Sequence, residues 1–148
     1  MSPITSSVEI KRSPQDVFLY VADPTQRPKW QDAIEHIEVV LTTPEGVGTQ
    51  ARETRRIQGS SRTFTWQVTE YDPGRRYALR GIDGPVRARV LMNMTPVDEG
   101  AKTRVTIEIA FEGVGMGKIL APLARRGASK EVGLDGEHLK KQLEAGLT

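Results

Sequence analysis

Between Ile34 and Phe111 nearly every segment of the chain alternates apolar and polar residues and closes on a turn containing Gly or Pro. Helical periodicity returns only after Gly113. A period of two sends successive side chains to opposite faces, so such runs fold as strands with one apolar and one polar face. Short turns between them make neighbouring strands antiparallel. The apolar face of such a sheet must be covered, and one long helix near the C-terminus can cover it if the sheet curls and the helix lies in the trough. That arrangement readily leaves a cavity between helix and sheet, which points toward ligand binding.

The individual elements can be placed. Ile4 to Lys11 reads as a first strand with Ile4, Ser6, Val8 and Ile10 on one side. Ser13 has the character of a helix N-cap, Pro14 suits the first helical position, and Asp16 sits near the positive helix end. Val17, Phe18 and Val21 share one face of this helix, and Asp23-Pro24 stops it because the residue before proline avoids the helical region. Thr25 to Asp32 reads as a second short helix or turn anchored by Trp30. Six strands follow, carrying Ile37, Val39 and Leu41; the stretch Val47 to Ile57; Phe64, Trp66 and Val68; Tyr77 and Leu79; Val86 to Met94; and Val105 to Phe111. The turns between them fall at Pro44-Glu45-Gly46, Gly59-Ser60-Ser61, Asp72-Pro73-Gly74, Asp83-Gly84 and Asp98-Glu99-Gly100.

From about Met116 to Gly146 the mostly helical spacing of Ile119, Leu120, Leu123, Val132, Leu134, Leu139 and Leu143 predicts a long, imperfect helix. Pro122 fits only near its start or at a kink. Gly127, Gly133 and Gly136 each cost about 1 kcal/mol relative to Ala and would remove bulk facing the sheet.

Bulk properties narrow the function. The 148 residues suit one domain. The net charge is +2, a slight pull toward anionic partners. With no cysteine, disulfides, thiolate catalysis and cysteine-ligated zinc are excluded. The opening Met-Ser-Pro-Ile-Thr-Ser-Ser has neither the charged nor the apolar region of a secretory signal. No apolar run approaches the roughly 20 residues of a membrane span. A cytoplasmic protein without stable membrane insertion is the expectation.

Three stretches together resemble the START-like, helix-grip superfamily called SRPBCC, in its polyketide cyclase/dehydrase-like branch. The first runs from Val8 to Phe18 and on to Asp23-Pro24 and Trp30. The second is Val47-Gly48-Thr49. The third runs from Val68 through Asp72-Pro73-Gly74 to Arg76 and continues with Gly84 to Arg89 and Gly100 to Thr106. The resemblance spans nearly the whole chain and implies a single domain over residues 1–148. Its fold would be α+β: a curved antiparallel sheet of about seven strands wrapped around a long C-terminal helix, with two short helices after the first strand. Members of the superfamily include aromatase/cyclases, lipid and quinone carriers and hormone receptors, so one fold serves several activities.

Within that frame Phe64, Trp66, Tyr77, Leu79, Val90, Met92, Met94, Ile107 and Ile109 line the inner face, either as a cavity wall or as filled core. The flexible Met92 and Met94 suit an adaptable wall. The strand from Val47 to Ile57 is unusual because its inward set is Ala51, Glu53 and Arg55, where the resemblance implies apolar residues. An inward Glu53 must pair, and Arg55 is the obvious partner, whether the pair orients a ligand or lies at a solvated edge. Asn93 and His138 are further candidates for fixing a polar ligand group. Of the two histidines, His36 sits among acidic residues in an exposed segment. His138 shares a helix face with Glu131, seven residues earlier, and the two could act as acid and base in a ring closure.

No spacing of His, Asp or Glu matches a metal site, and no glycine-rich loop holds phosphates, so neither metal nor cofactor is implied. The arginines 52, 55, 56 and 62 are interrupted by Glu53 and lack any nucleic-acid module. The sequence therefore supports binding of a small lipid-like or aromatic polyketide-like molecule. The alternatives are a cyclase-type enzyme acting on such a molecule and an interaction module whose core is filled.

Overall fold

The computed structural model describes residues 3–146. Seven strands run β1 (Ile4–Ile10), β2 (Ile34–Leu41), β3 (Gln50–Ile57), β4 (Ser60–Asp72), β5 (Arg76–Gly81), β6 (Val86–Val97) and β7 (Lys102–Gly113). Helix α1 (Pro14–Val21) and a 3₁₀ helix (Pro24–Lys29) follow β1, and α2 (Gly117–Ala145) closes the fold. The sheet order is β1-β7-β6-β5-β4-β3-β2 with every neighbour antiparallel. The alternating run is thus a six-strand meander, with β1 added beside the last strand. This is the helix-grip arrangement: α2 packs in the trough of the curved sheet, against β1 and β7.

Local chemistry explains the joints. Ser13 Oγ accepts from the Asp16 backbone N–H at 3.2 Å and so satisfies a donor that α1 would leave open. Gln58 and Gly59 both have positive φ, 50° and 80°, the backbone of a tight two-residue hairpin between β3 and β4. A register shift between Val68 and Glu70 re-aims β4. Strict alternation after Val68 would turn Glu70 and Asp72 inward. The shift turns Tyr71 inward instead, edge-on to Phe18 at 5.0 Å and beside Tyr77 at 6.3 Å. Gly46 (φ 84°) lies against that ring, and a Cβ there would stand 2.4 Å from it.

The core joins α1 and α2 to the sheet through Val17, Phe18, Val21, Ile10, Val105, Leu139 and Leu143, all buried. Burying a side chain such as Leu139 contributes about 1.5–3 kcal/mol. At the C-terminal end of α2, Arg12 Nη1 donates to the Leu143 carbonyl at 3.0 Å and Lys140 Nζ to the Glu9 carbonyl at 2.8 Å. At its start, Gly117 sits so close to the Pro85 carbonyl that a Cβ would fall 1.7 Å from the oxygen.

The structure divides both the apolar residues and the glycines of α2 between two sides. Val132, Leu139 and Leu143 face the sheet, whereas Ile119, Leu120, Leu123 and Leu134 point to solvent. The helix is long enough for two apolar lines, and only the one through Ala121 and Val132 meets the sheet. Of the three glycines, Gly136 is buried against Val8, while Gly127 and Gly133 are exposed with open space beside them. Val39 and Leu41 of β2 are likewise exposed, because β2 is the outermost strand at that edge of the sheet.

Candidate ligand-binding site

The inner wall of the sheet is built from the expected rows. Trp66, Tyr77, Leu79, Met92, Met94 and Ile107 are buried, and Phe64, Val90 and Ile109 are half-buried beside them. Strand register aligns Ala51 with Trp66, Tyr77 with Met92, and Met92 with Ile107, so these side chains share one face. Asn93 does not join them. It lies between Met92 and Met94 on the opposite face, in register with Arg76 and Thr106, because a strand alternates without exception here.

Two polar atoms in this apolar wall have no hydrogen-bond partner: Trp66 Nε1 and Tyr77 Oη, both fully buried. Trp30 Nε1, from the segment after the 3₁₀ helix, is orphaned in the same way. A buried donor without an acceptor costs roughly 1–3 kcal/mol, so such groups are rare and call for a reason. Burial pushes the Tyr77 hydroxyl up to about 12, with Tyr71 and Asp23 adding to the effect and Arg27 opposing it. It therefore stays protonated and remains a donor.

Beside these groups lies a buried ionic chain. Arg27 projects inward from the 3₁₀ helix, held there because Asp23 Oδ1 caps that turn by accepting from the Thr25 N–H at 3.0 Å. Its guanidinium lies over the Trp66 ring at 5.0 Å, a cation–π contact, and pairs with Glu53 at 2.9 Å. Glu53 is buried and also accepts from Arg55 Nε at 3.0 Å. Gln31 Oε1 accepts from both arginines. Burial alone would raise the Glu53 pKa, but the Arg27 and Arg55 charges outweigh it and hold the carboxyl below its usual range. Glu53 and Arg55 therefore form an inward pair rather than a surface one.

Arg55 carries the chain outward to Glu131 on α2, 3.7 Å away. There a cleft of about 330 Å³ opens, lined by Asp32, Ala33, Arg56, Gln58, Gly59, Glu131, Leu134, Asp135 and His138. His138 and Glu131 do come together, at this charged rim rather than on the apolar wall. His138 Nδ1 stands 3.6 Å from Asp32 Oδ2. Burial pushes Asp135 up to about 6, reinforced by Glu131 and Asp32 and opposed by Arg55 and His138. Among the described residues no three His, Asp or Glu side chains are spaced to hold a metal ion.

Arg27 and Asp135 are the residues that the sequence reading missed. Asp135 could have been found, since it lies four residues after Glu131 and three before His138 on one helix face. Arg27 offered no such signal.

A family model described as polyketide cyclase/dehydrase and lipid transport matches residues 1–144. The chain belongs to that family. The cyclase/dehydrase and lipid transport family supports ligand binding or cyclase roles in general terms. An uncharacterised protein of Mycobacterium tuberculosis is 26% identical over 110 residues, covering 74% of this chain and 77% of the relative. A Thermus thermophilus protein superposes with a TM-score of 0.80 at 20% identity, over 99% of both chains. A START superfamily protein of Mycobacterium smegmatis gives 0.77 at 19% identity, over 99% of this chain and 97% of that one. The Zhui aromatase/cyclase of Streptomyces sp. R1128 gives 0.80 at 16% identity, over 99% and 95%. At such identities these structures establish the shared fold. Among the described residues no helix is long and apolar enough to cross a membrane.

Proposed function

We propose that this family member binds a small, mostly apolar molecule carrying an oxygen acceptor, held between the sheet and α2 with its oxygen toward Trp66, Tyr77 and Arg27. The observation that carries this reading is the pair of orphaned donors, Trp66 Nε1 and Tyr77 Oη, set in an apolar wall beside a buried guanidinium. A carbonyl, phenol or carboxylate oxygen there would supply the acceptor that these two donors lack, while Leu79, Met92 and Ile107 supply affinity through burial. Glu53 and Gln31 hold Arg27 in place. A lipid-like or aromatic polyketide-like compound has the required chemistry.

The test is native mass spectrometry of freshly purified protein, followed by organic extraction and identification of what is released. The reading expects an oxygen-bearing apolar compound, or saturable uptake of one on addition to stripped protein. Protein that carries nothing and takes up nothing from a cell extract counts against it and favours a filled core.

A second reading, a cyclase-type enzyme, is favoured by the charged cleft. Asp135, poised near neutrality between Arg55, Glu131 and His138, is a better acid or base candidate than Glu131 and His138 alone. Turnover of an extracted ligand, lost in Asp135→Asn with binding retained, would select this reading over simple carriage.

A further inference from the structure

The outward apolar line of α2 is not random exposure. Met116, Ile119, Leu120 and Leu123 follow helical spacing and are 73%, 70%, 44% and 48% exposed, with Val114 just before them at 48%. Contiguous apolar surface of this kind, on the side of a helix that its own core does not use, marks an interaction face. Along the helix stretch itself the charge is one-sided. From Gly113 to Lys130 the chain carries Lys118, Arg125, Arg126 and Lys130 and no acidic residue. Arg126 and Lys130 are exposed and border the apolar line at the 3.6-residue period. Acidic residues return at Glu131, Asp135 and Glu137, beyond the apolar line.

We propose that the N-terminal half of α2 is a docking surface for an anionic lipid bilayer, lying in the interface with Met116, Ile119, Leu120 and Leu123 among the acyl chains and Arg126 and Lys130 at the headgroups. Apolar residues on one helical line flanked by basic ones are the makeup of an interfacial helix, and the attraction is electrostatic as well as hydrophobic. A second copy of this chain is a poorer occupant, because the face carries no acidic side chain from Gly113 to Lys130 to meet Arg126 and Lys130, which anionic headgroups would do. The contact is peripheral. It stands independently of the interior ligand, since none of these side chains reaches the inner wall.

The experiment is co-sedimentation of the intact protein with vesicles of phosphatidylcholine alone and of phosphatidylcholine mixed with phosphatidylglycerol. The protein should partition to the anionic vesicles and not to the neutral ones, with binding falling as salt rises. Lys130→Ala and Arg126→Ala should each weaken partitioning roughly fivefold. The pair Ile119→Ser with Leu123→Ser should weaken it roughly tenfold or more while the melting temperature stays near that of the parent, since both side chains are exposed. Equal partitioning to neutral and anionic vesicles overturns the proposal, as does unchanged binding by the double serine variant. A parent protein that sediments as a dimer, and that the double variant converts to a monomer, assigns the face to a second copy and also overturns it.

Discussion

Tyr77 shows how much one side chain can decide. Its hydroxyl is buried beside Phe18, Tyr71 and Arg27 and bonds to nothing. Tyr77→Phe removes only that oxygen. Without ligand the variant should be as stable as the parent or up to about 1 kcal/mol more so, because an unsatisfied group has gone. Ligand affinity should fall roughly two- to tenfold. Chemical denaturation beside calorimetric titration of the extracted ligand reads both, and a destabilised variant with full affinity would remove Tyr77 from the site. Glu53 behaves oppositely: Glu53→Ala leaves the buried Arg27 without a carboxylate, while Arg55 keeps Glu131, and should cost about 3–5 kcal/mol in a denaturant titration.

Asp135 gives a pH dependence of definite sign. Its folded pKa, about 6, lies above the ordinary 3.8, so the folded state holds the proton more tightly. The stability this supplies is complete below about pH 3.8 and is lost as pH rises through 6. Asp135→Asn should match the parent near pH 4 and exceed it by about 1 kcal/mol at pH 8, the side chain's partial exposure trimming the full effect. Melting curves across that range check it, and a difference that does not grow with pH would contradict it. Glu53 works the other way, contributing stability above its ordinary range that is lost on acidification.

At the scale of elements, what could be read from the sequence was whatever local chemistry determines. The Ser13 cap and the turns at Asp72-Pro73-Gly74 and Asp83-Gly84 stand where their residues placed them, since each depends on neighbours within a few positions. The turn expected at Gly59-Ser60-Ser61 lies instead at Gln58-Gly59, and the strand expected from Val47 begins at Gln50. The inner rows of β6, β7 and β4 as far as Val68 followed from the period of two, and the register shift after Val68 turned Tyr71 inward against it. What escaped depends on partners distant in sequence. Arg27 sits on a 3₁₀ turn too short to show periodicity, and it is buried only because Glu53 and Trp66 arrive from other strands. Periodicity on α2 gave one set of apolar positions and could not say which of them meet the sheet.

The glycines of α2 separate these levels. Gly133→Ala places a methyl in open space on an exposed helix interior and should raise stability by about 1 kcal/mol. Gly117→Ala drives a Cβ into the Pro85 carbonyl and should cost about 1–3 kcal/mol. Thermal melts of the two variants should therefore move in opposite directions, and a matching shift would mean that α2 does not start against Pro85.

Over the whole molecule, the curved sheet brings three features onto one continuous path. The apolar wall holds orphaned donors, the Arg27–Glu53–Arg55 chain runs beside them, and Glu131 links that chain to the cleft with Asp135 and His138. The helix-grip fold supplies the trough, and in the proposed reading the polar residues within it set what this member binds. The central claim is that Trp66 and Tyr77 meet a ligand oxygen. The chain has only two tryptophans, so a nitrogen–proton correlation spectrum contains two indole signals, and Trp66→Phe identifies one of them. Adding oxygen-bearing apolar probes, from 1-naphthol to lauric acid, together with whatever the cell extract yields, should move the Trp66 indole proton downfield as it gains an acceptor, and Tyr77→Phe should require more probe for the same shift. A Trp66 signal that stays in place through the whole series, or moves identically in Tyr77→Phe, would contradict the account.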